Sequence, residues 1–519
     1  MLVVRGKKTT VNLTDLVFGV LLISSLVYLL RKGQGLTFFF DEWDFVLSRT
    51  FSVTDLLRPH NGHLNIIPVF FYIILKSTFG ISSYLPYQIL GLLVHGSVCL
   101  GVYNLGRRRS PVLAACAGIV IALLGTGWQN IMWPFQIGMM GSVSAGLWAI
   151  HEFSKPEPSP TRTSMLVAVS LMCAGGGAAV FVTIFFFALI RRNVSTIARI
   201  TIVGFLYALW YLKYGVPQSQ PGNIGKTPQF FVDSAMGAAG AIGAKGPDFA
   251  RWYFLVLILF VFSALLRKQT YFVSLAALMT IFVTWSLTGI SRAHLGDPNA
   301  SRYLYVGAVF LIVAMVIVVP PILIGRLSLV FCLFVPFLVL PNLNVLKAGT
   351  GGLQDVSLHL RSSLTGLEMI DGDLIPGQPV DGVRAPQINP LQYLTIAKEY
   401  GNAGFTVREL EALPEEIRIQ ADDSLFRLMA NLHTEVPGAE CNESQKITGS
   451  QIIVEPSGKT SFTSAAENEA VFRWFSDATS NSLRIQLRAG RLYSIKNHVL
   501  LGTKPLKIQF SDPAVSICR

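Results

Sequence analysis

Residues 303–341 read YLYVGAVFLIVAMVIVVPPILIGRLSLVFCLFVPFLVLP, with Arg326 as the single charge. An amphipathic helix of a soluble protein would show a polar stripe here, and none is present. The Pro320-Pro321 pair divides the run into 303–320 and 322–341. Each half has the length that crosses a hydrocarbon layer, roughly 17–25 residues.

The same texture recurs upstream at 14–31, 84–106, 111–126, 137–153, 164–175, 177–190, 195–213, 251–267 and 270–288. About eleven spanning segments are therefore expected. Composition agrees: of 519 residues 51% are hydrophobic and only 14% charged, against about 25% charged in ordinary globular domains. Mean hydropathy is +0.51. These values exclude a disordered chain, a collagen-like repeat and a cytosolic nucleotide enzyme.

The net charge of +12 does not signal nucleic-acid binding. Residues 1–344 hold 25 Lys and Arg against 10 Asp and Glu, whereas residues 345–519 hold 17 against 20. The basic excess sits mostly in short clusters between apolar runs, which is how positive-inside anchors are placed. Leu64–Phe79 is apolar but short and contains Pro68 and Lys76, so it is read as an interfacial helix. That reading puts Arg107–Arg109, Arg191-Arg192 and Arg267-Lys268 on the cytoplasmic side. Gly175–Gly177 is read as a break between two short helices, since three glycines would weaken one continuous helix. Arg5, Lys7 and Lys8 then lie inside, the first helix is retained, and the chain after Leu340 is outside the cytoplasmic membrane.

The fold class expected is mainly α: a polytopic membrane domain over 1–344, with an outer loop at 32–83, and a smaller exported α+β domain over 345–519. Residues 345–440 read as helical and loop-rich, with helical spacing in Leu391–Tyr400 and Ser424–Leu432. From 441 onward short alternating runs at Gln451–Glu455, Ala470–Phe475, Leu483–Leu487, Leu492–Ile495 and Leu506–Phe510 predict an antiparallel β module. Cys441 and Cys518 are the two cysteines of this tail. In an exported domain they are a disulfide candidate, and in a cytosolic one they would be two free thiols.

Candidate chemistry begins at Asp41-Glu42-Trp43-Asp44. Three of the ten acidic residues of 1–344 lie here, directly after Phe38-Phe39-Phe40. Carboxylates near hydrocarbon are costly, and in a helix Asp41 and Asp44 share one face. A solvated acidic cap anchored by aromatics would have the same composition. Farther along the loop, His60, Asn61 and His63 follow Arg58-Pro59. With Asp41 and Asp44, the two histidines could hold a divalent cation such as Mg or Mn, although the spacing specifies no standard site. Trp128, Gln129 and Gln136 could stack on and hydrogen-bond to a sugar, or simply form an interfacial belt. Arg292, His294, Arg302 and Tyr303 lie around the mouth of the last spans, where an anionic lipid head group could reach them. No Walker loop, dinucleotide fingerprint or nucleophilic-serine elbow occurs.

A first span ending in an Asp-Glu pair, a long outer loop with an interfacial helix, many further spans and an exported tail together resemble the C-type (GT-C) superfamily of polyprenyl-phosphate-sugar-dependent glycosyltransferases. Protein O-mannosyltransferases and the lipid A aminoarabinose transferase belong to that superfamily. The resemblance covers the membrane part and is carried chiefly by Asp41-Glu42 and the layout of the first loop. It implies an enzyme that moves a sugar from a polyprenyl-phosphate carrier to a glycan, lipid or protein acceptor. Asp41 would be the base, Glu42 or Asp44 its assistants, and Arg302, with Tyr303 and with Arg292 or His294, the ligand of the donor phosphate. Membrane lipid is an expected partner and nucleic acid is not. The competing readings are a transporter or flippase of a lipid-linked saccharide, for which the intramembrane His95 is the main candidate residue, and a non-catalytic envelope scaffold.

Overall fold

The computed structural model describes residues 13–217, 220–266, 271–436, 441, 444–447, 449–477, 484–500 and 504–518. Arg5, Lys7, Lys8, Arg267 and Lys268 lie outside the described residues. The chain forms two compact units. The first comprises 1–34, 49–74 and 85–352; the second comprises 35–48, 75–84 and 353–519.

Nearly every hydrophobic run is a helix. In chain order these are α1 (Leu13–Lys32), α2 (Glu42–Leu47), α3 (Val53–Leu57), α4 (Ile66–Phe79), α5 (Leu85–Gly106), α6 (Pro111–Ala122), α7 (Trp128–Met132), α8 (Ile137–Phe153), α9 (Pro160–Cys173) and α10 (Gly177–Ile190). They continue with α11 (Val194–Tyr214), α12 (Thr227–Gly243), α13 (Gly246–Leu266), α14 (Phe272–Arg292), α15 (Ser301–Val318) and α16 (Pro321–Glu368). Three more, α17 (Pro390–Tyr400), α18 (Val407–Glu411) and α19 (Glu415–Leu428), belong to the second unit.

Among the described residues six helices are long and apolar enough to cross a membrane, or eight if each of two bent pairs forms one span. One bent pair joins α6 to α7 at 43°; the other joins α12 to α13 at 97°. The Ala- and Gly-rich residues 235–243 form the end of α12. Gly237, Gly240, Ala238 and Ala241 let that helix lie close to its neighbours. The break expected at the glycine run is present: α9 stops at Cys173 and α10 begins at Gly177.

The last hydrophobic run does not stop near 341. Helix α16 runs on to Glu368 with Pro336 and Pro341 inside it. Each proline removes one backbone donor, a loss that interior helix positions in an apolar region tolerate. The second unit accordingly takes in α16 only from residue 353.

Among the described residues of the second unit nine strands build two antiparallel sheets. These are β1 (His433–Val436), β2 (Ser444–Lys446), β3 (Gln451–Val454), β4 (Lys459–Ser464), β5 (Asn468–Arg473), β6 (Arg484–Leu487), β7 (Leu492–Lys496), β8 (Leu506–Phe510) and β9 (Val515–Cys518). The sheet orders are β1-β7-β4-β9-β2 and β3-β8-β5-β6. Alternation points Ile452 and Val454, and likewise Leu506, Ile508 and Phe510, into one core. Phe462, Tyr493, Ile495 and Val515 of the other sheet enter the same core, as do Ala421 and Leu425 of α19. The module is a sandwich with one helix packed against it. Buried Asp422 of α19 ties the two together by accepting from the Trp474, Phe475 and Ser476 amides at 3.0, 2.9 and 3.0 Å. A disulfide joins Cys441 to Cys518 with Cα atoms 5.3 Å apart.

Candidate functional site

The acidic turn belongs to the second unit. Phe40, which precedes it, has φ +47°, a left-handed conformation unusual for a bulky residue. Asp41 then starts α2 without using its carboxylate as a cap. Asp41 and Asp44 are half-buried on a shared face, while Glu42, Trp43, Phe45, Val46 and Leu47 are buried. The face predicted from i,i+3 spacing is therefore the open one.

Glu42 is different in kind from its two neighbours. It is 0% exposed. Its carboxylate accepts from the Tyr84 hydroxyl at 2.8 and 3.0 Å and from the Phe39 amide at 3.0 Å. These bonds close the turn over Phe40, so Glu42 shapes the segment that carries the two aspartates. Trp43 packs between Phe38 and Tyr393, with ring centroids 5.2 and 5.9 Å away.

The other candidates lie in the first unit. His60-Asn61-Gly62-His63 is a two-residue hairpin turn with both central φ angles positive, +49° and +75°. His60 and His63 exchange both backbone bonds, at 3.0 and 2.9 Å, which is the pairing of a type I′ turn. The directly opposed pair puts both imidazoles on the same side of the hairpin. The Asn65 side-chain amide bonds both carbonyls, at 3.2 and 3.1 Å. The buried Arg49 guanidinium steadies the segment before the hairpin by donating to Asp55 O in α3 and to Arg58 O, each at 2.8 Å.

The His60 ring meets Phe135 edge-on at 5.3 Å, and Phe135 stacks on Trp133 at 5.0 Å. The His63 ring lies against Gly175, where a Cβ would come within 2.6 Å of Nδ1. The glycine break between α9 and α10 thus makes room for an imidazole. Burial, then the charge of Arg292, then His60, push the His63 pKa down to about 4. His63 is a neutral imidazole at physiological pH.

Arg302 begins α15 beside the α7 segment. Its backbone amide and Nη1 reach Gln129 Oε1 at 3.3 and 3.4 Å, and Ser301 Oγ accepts from the Gln129 amide at 3.1 Å. The guanidinium lies over the Tyr303 ring at 5.0 Å. Neither Arg302 nor Arg292 is paired with a carboxylate among the described residues. His294 lies between the Asn223 and Gln220 amides at 3.1 and 3.4 Å, and Gln136 is buried just ahead of α8. Trp128 packs against Gly349, which is close enough that a Cβ there would strike the indole. A largely apolar cavity of about 350 Å³ lies between α12 and α15, with Thr126, Asp233, Gly237, Asn299 and Leu304 in its wall.

No protein-family model matches the chain, and no curated protein or solved structure does either. The chemistry rests on the residues themselves.

Among the described residues no three His, Cys, Asp or Glu side chains gather into a set that could hold a metal ion. The Arg292 charge beside His63 also opposes a cation there. His95, the candidate residue for the transport reading, has both ring nitrogens in use: Nδ1 lies 2.8 Å from the Tyr305 hydroxyl and Nε2 3.2 Å from Ala122 O. The Ala122 carbonyl ends α6 and lacks an intrahelical donor, so Nε2–H donates to it and Nδ1 accepts from Tyr305. Tyr84, Asn65, Arg49 and Tyr393 carried no sequence signal, because their roles arise from contacts distant along the chain.

Proposed function

We propose that the chain is an integral-membrane glycosyltransferase that moves a sugar from a polyprenyl-phosphate carrier to an acceptor outside the cytoplasmic membrane. In this reading the eleven hydrophobic segments span, the N-terminus is cytoplasmic and the second unit is exported. The observation that carries it is the turn at Phe40–Asp44. A non-glycine residue in a left-handed conformation precedes two half-buried aspartates on one face, and a third carboxylate is spent on holding the turn. Backbone strain at such a place is a pointer to function.

Asp41 takes the proton of the acceptor hydroxyl as the hydroxyl oxygen attacks the anomeric carbon, and the bond from that carbon to the phosphate oxygen breaks. One base suffices for this direct, inverting displacement, because the phosphate leaves without needing a proton. Asp44, on the same face, orients the acceptor. Within the first unit, Arg302, held by Gln129 and stacked on Tyr303, carries donors of the kind a lipid phosphate takes, and Arg292 is a second cation with no carboxylate partner among the described residues. Gln129 and Trp128 are further contacts for the sugar, and the apolar cavity beside α15 suits part of the lipid.

The test is release of polyprenyl phosphate from radiolabelled polyprenyl-phosphate monosaccharides by the full chain in proteoliposomes, with cell-envelope extract as acceptor. Asp41→Asn should lower turnover by about 10²–10⁴-fold, the usual worth of a general base, without loss of folded protein. Arg302→Ala should raise the KM of the donor more than that of the acceptor. Movement of the labelled lipid across the bilayer without release would favour the flippase, and binding alone the scaffold.

A further inference from the structure

We infer that the C-terminal segment is part of the catalytic apparatus, with Gln392 and Tyr393 of α17 acting as positioning residues for the Asp41–Asp44 turn. The inference rests on the reading of Asp41 as the base. Its geometry lies within the second unit.

Besides Tyr84, the side chains of Gln392, Lys76 and Tyr393 reach the α2 segment from outside its own turn. Gln392 Nε2 donates to Leu47 O at 3.1 Å and to Ser48 Oγ at 3.3 Å. Leu47 closes α2, so its carbonyl is one that the helix itself leaves without a donor. Lys76, itself buried, donates to Val46 O at 2.8 Å. Its ammonium lies 5.3 Å from the ring centroid of Tyr400, the last residue of α17. Tyr393 packs edge-on against Trp43 at 5.9 Å.

Tyr393 is itself fixed. Its hydroxyl donates to Glu368 at the end of α16 and accepts from the Ala403 amide at 2.9 Å. Glu368 also accepts from the Gly404 amide at 3.0 Å. Helix α17 therefore grips α2 at its last carbonyl and at its buried indole. That grip is needed because two costs concentrate in the turn. Phe40 is left-handed, and the buried Trp43 indole N–H has no acceptor among the described residues. A six-residue helix does not hold such a conformation alone. The two half-buried aspartates lie on the less buried face of the turn, and the C-terminal segment holds the buried one.

The experiment uses the full chain and two substitutions outside the acidic turn. Gln392→Glu keeps the shape and removes the donor; Gln392→Ala removes the side chain. Hydrogen–deuterium exchange should rise in the peptide 38–47 and stay unchanged in the sandwich strands and in α5 and α8. Turnover of the polyprenyl-phosphate sugar should fall about tenfold or more with donor KM unchanged, a split that general loss of folded protein would not produce.

Unchanged exchange over 38–47, exchange rising throughout the second unit, or faster exchange at 38–47 with unchanged turnover would each overturn the inference. Full activity of Asp41→Asn would instead remove the base assignment on which the catalytic part rests, and the exchange arm would still decide the anchoring.

Discussion

Tyr84 donates its hydroxyl to Glu42, 2.8 Å from Oε2 and 3.0 Å from Oε1. Forty-two residues separate them along the chain, and both are buried. Phe38 packs edge-on against the Tyr84 ring at 4.9 Å, sealing the pair from water. Tyr84→Phe keeps the ring and deletes the donor. Losing a bond to a buried carboxylate costs about 1–3 kcal/mol, so the melting temperature of the second unit should fall. Glu42→Ala should lower it at least as much and also abolish turnover, by releasing the turn that carries Asp41.

Gly80 allows a second close approach. Its φ is +70°, and a Cβ would fall 2.2 Å from the Tyr400 carbonyl oxygen. The Ile81 amide donates to that same carbonyl at 2.9 Å. Gly80→Ala therefore meets a left-handed backbone and a fixed carbonyl together. At a compatible site Gly→Ala stabilises by about 0.4–1 kcal/mol, whereas here the substitution should destabilise by more than that. Thermal unfolding of the purified variant checks this, with Gly351→Ala as a control where a Cβ meets nothing within 4 Å.

The Cys441–Cys518 bridge spans a sequence separation of 77 residues. In the chain-entropy account a loop of that size is worth about 4.5 kcal/mol. Cys441→Ser with Cys518→Ser, or reduction of the wild-type chain, should lower the unfolding transition of the sandwich. The helices of the first unit should keep theirs. Urea unfolding followed by the fluorescence of Trp474, which lies buried in the sandwich core, reads the loss.

His63 makes the first unit sensitive to acid. Its folded pKa of about 4 lies below the ordinary value of 6.5, so the unfolded chain binds the proton more readily. The stability that His63 contributes is fully present above pH 6.5 and is lost as pH falls from there toward 4. Melting temperature in detergent should drop across that window, and His63→Gln should flatten the drop. Arg292→Gln should raise the His63 pKa toward the ordinary value, so that the drop becomes smaller and ends at a higher pH.

Much of the fold was legible locally. The hydrophobic runs became helices, five alternating runs became strands, the paired cysteines of the tail are bonded, and Asp41 and Asp44 share an open face. What was missed has a common cause. β4 reads Lys-Thr-Ser-Phe-Thr-Ser, with one large apolar residue, and is a strand because β7 and β9 pair with it on both sides. Similarly, Pro341 looked like a helix end, but α16 continues past it. Glu42 looked like a catalytic partner of Asp41, but Tyr84 and the Phe39 amide engage it.

The amino-acid order by itself determined where the chain is apolar enough to cross a bilayer and which short segments alternate. It also determined where acids and bases depart from that background. These are properties of period and composition, written within a few turns of chain. Only the tertiary structure decided that residues 35–48 and 75–84 join the C-terminal unit, and that a carboxylate at 42 answers to a hydroxyl at 84. The Leu47 carbonyl meets the Gln392 amide across 345 residues. A backbone group left without a partner at a helix end takes whichever donor the packing brings to it, and no local pattern encodes which one that will be.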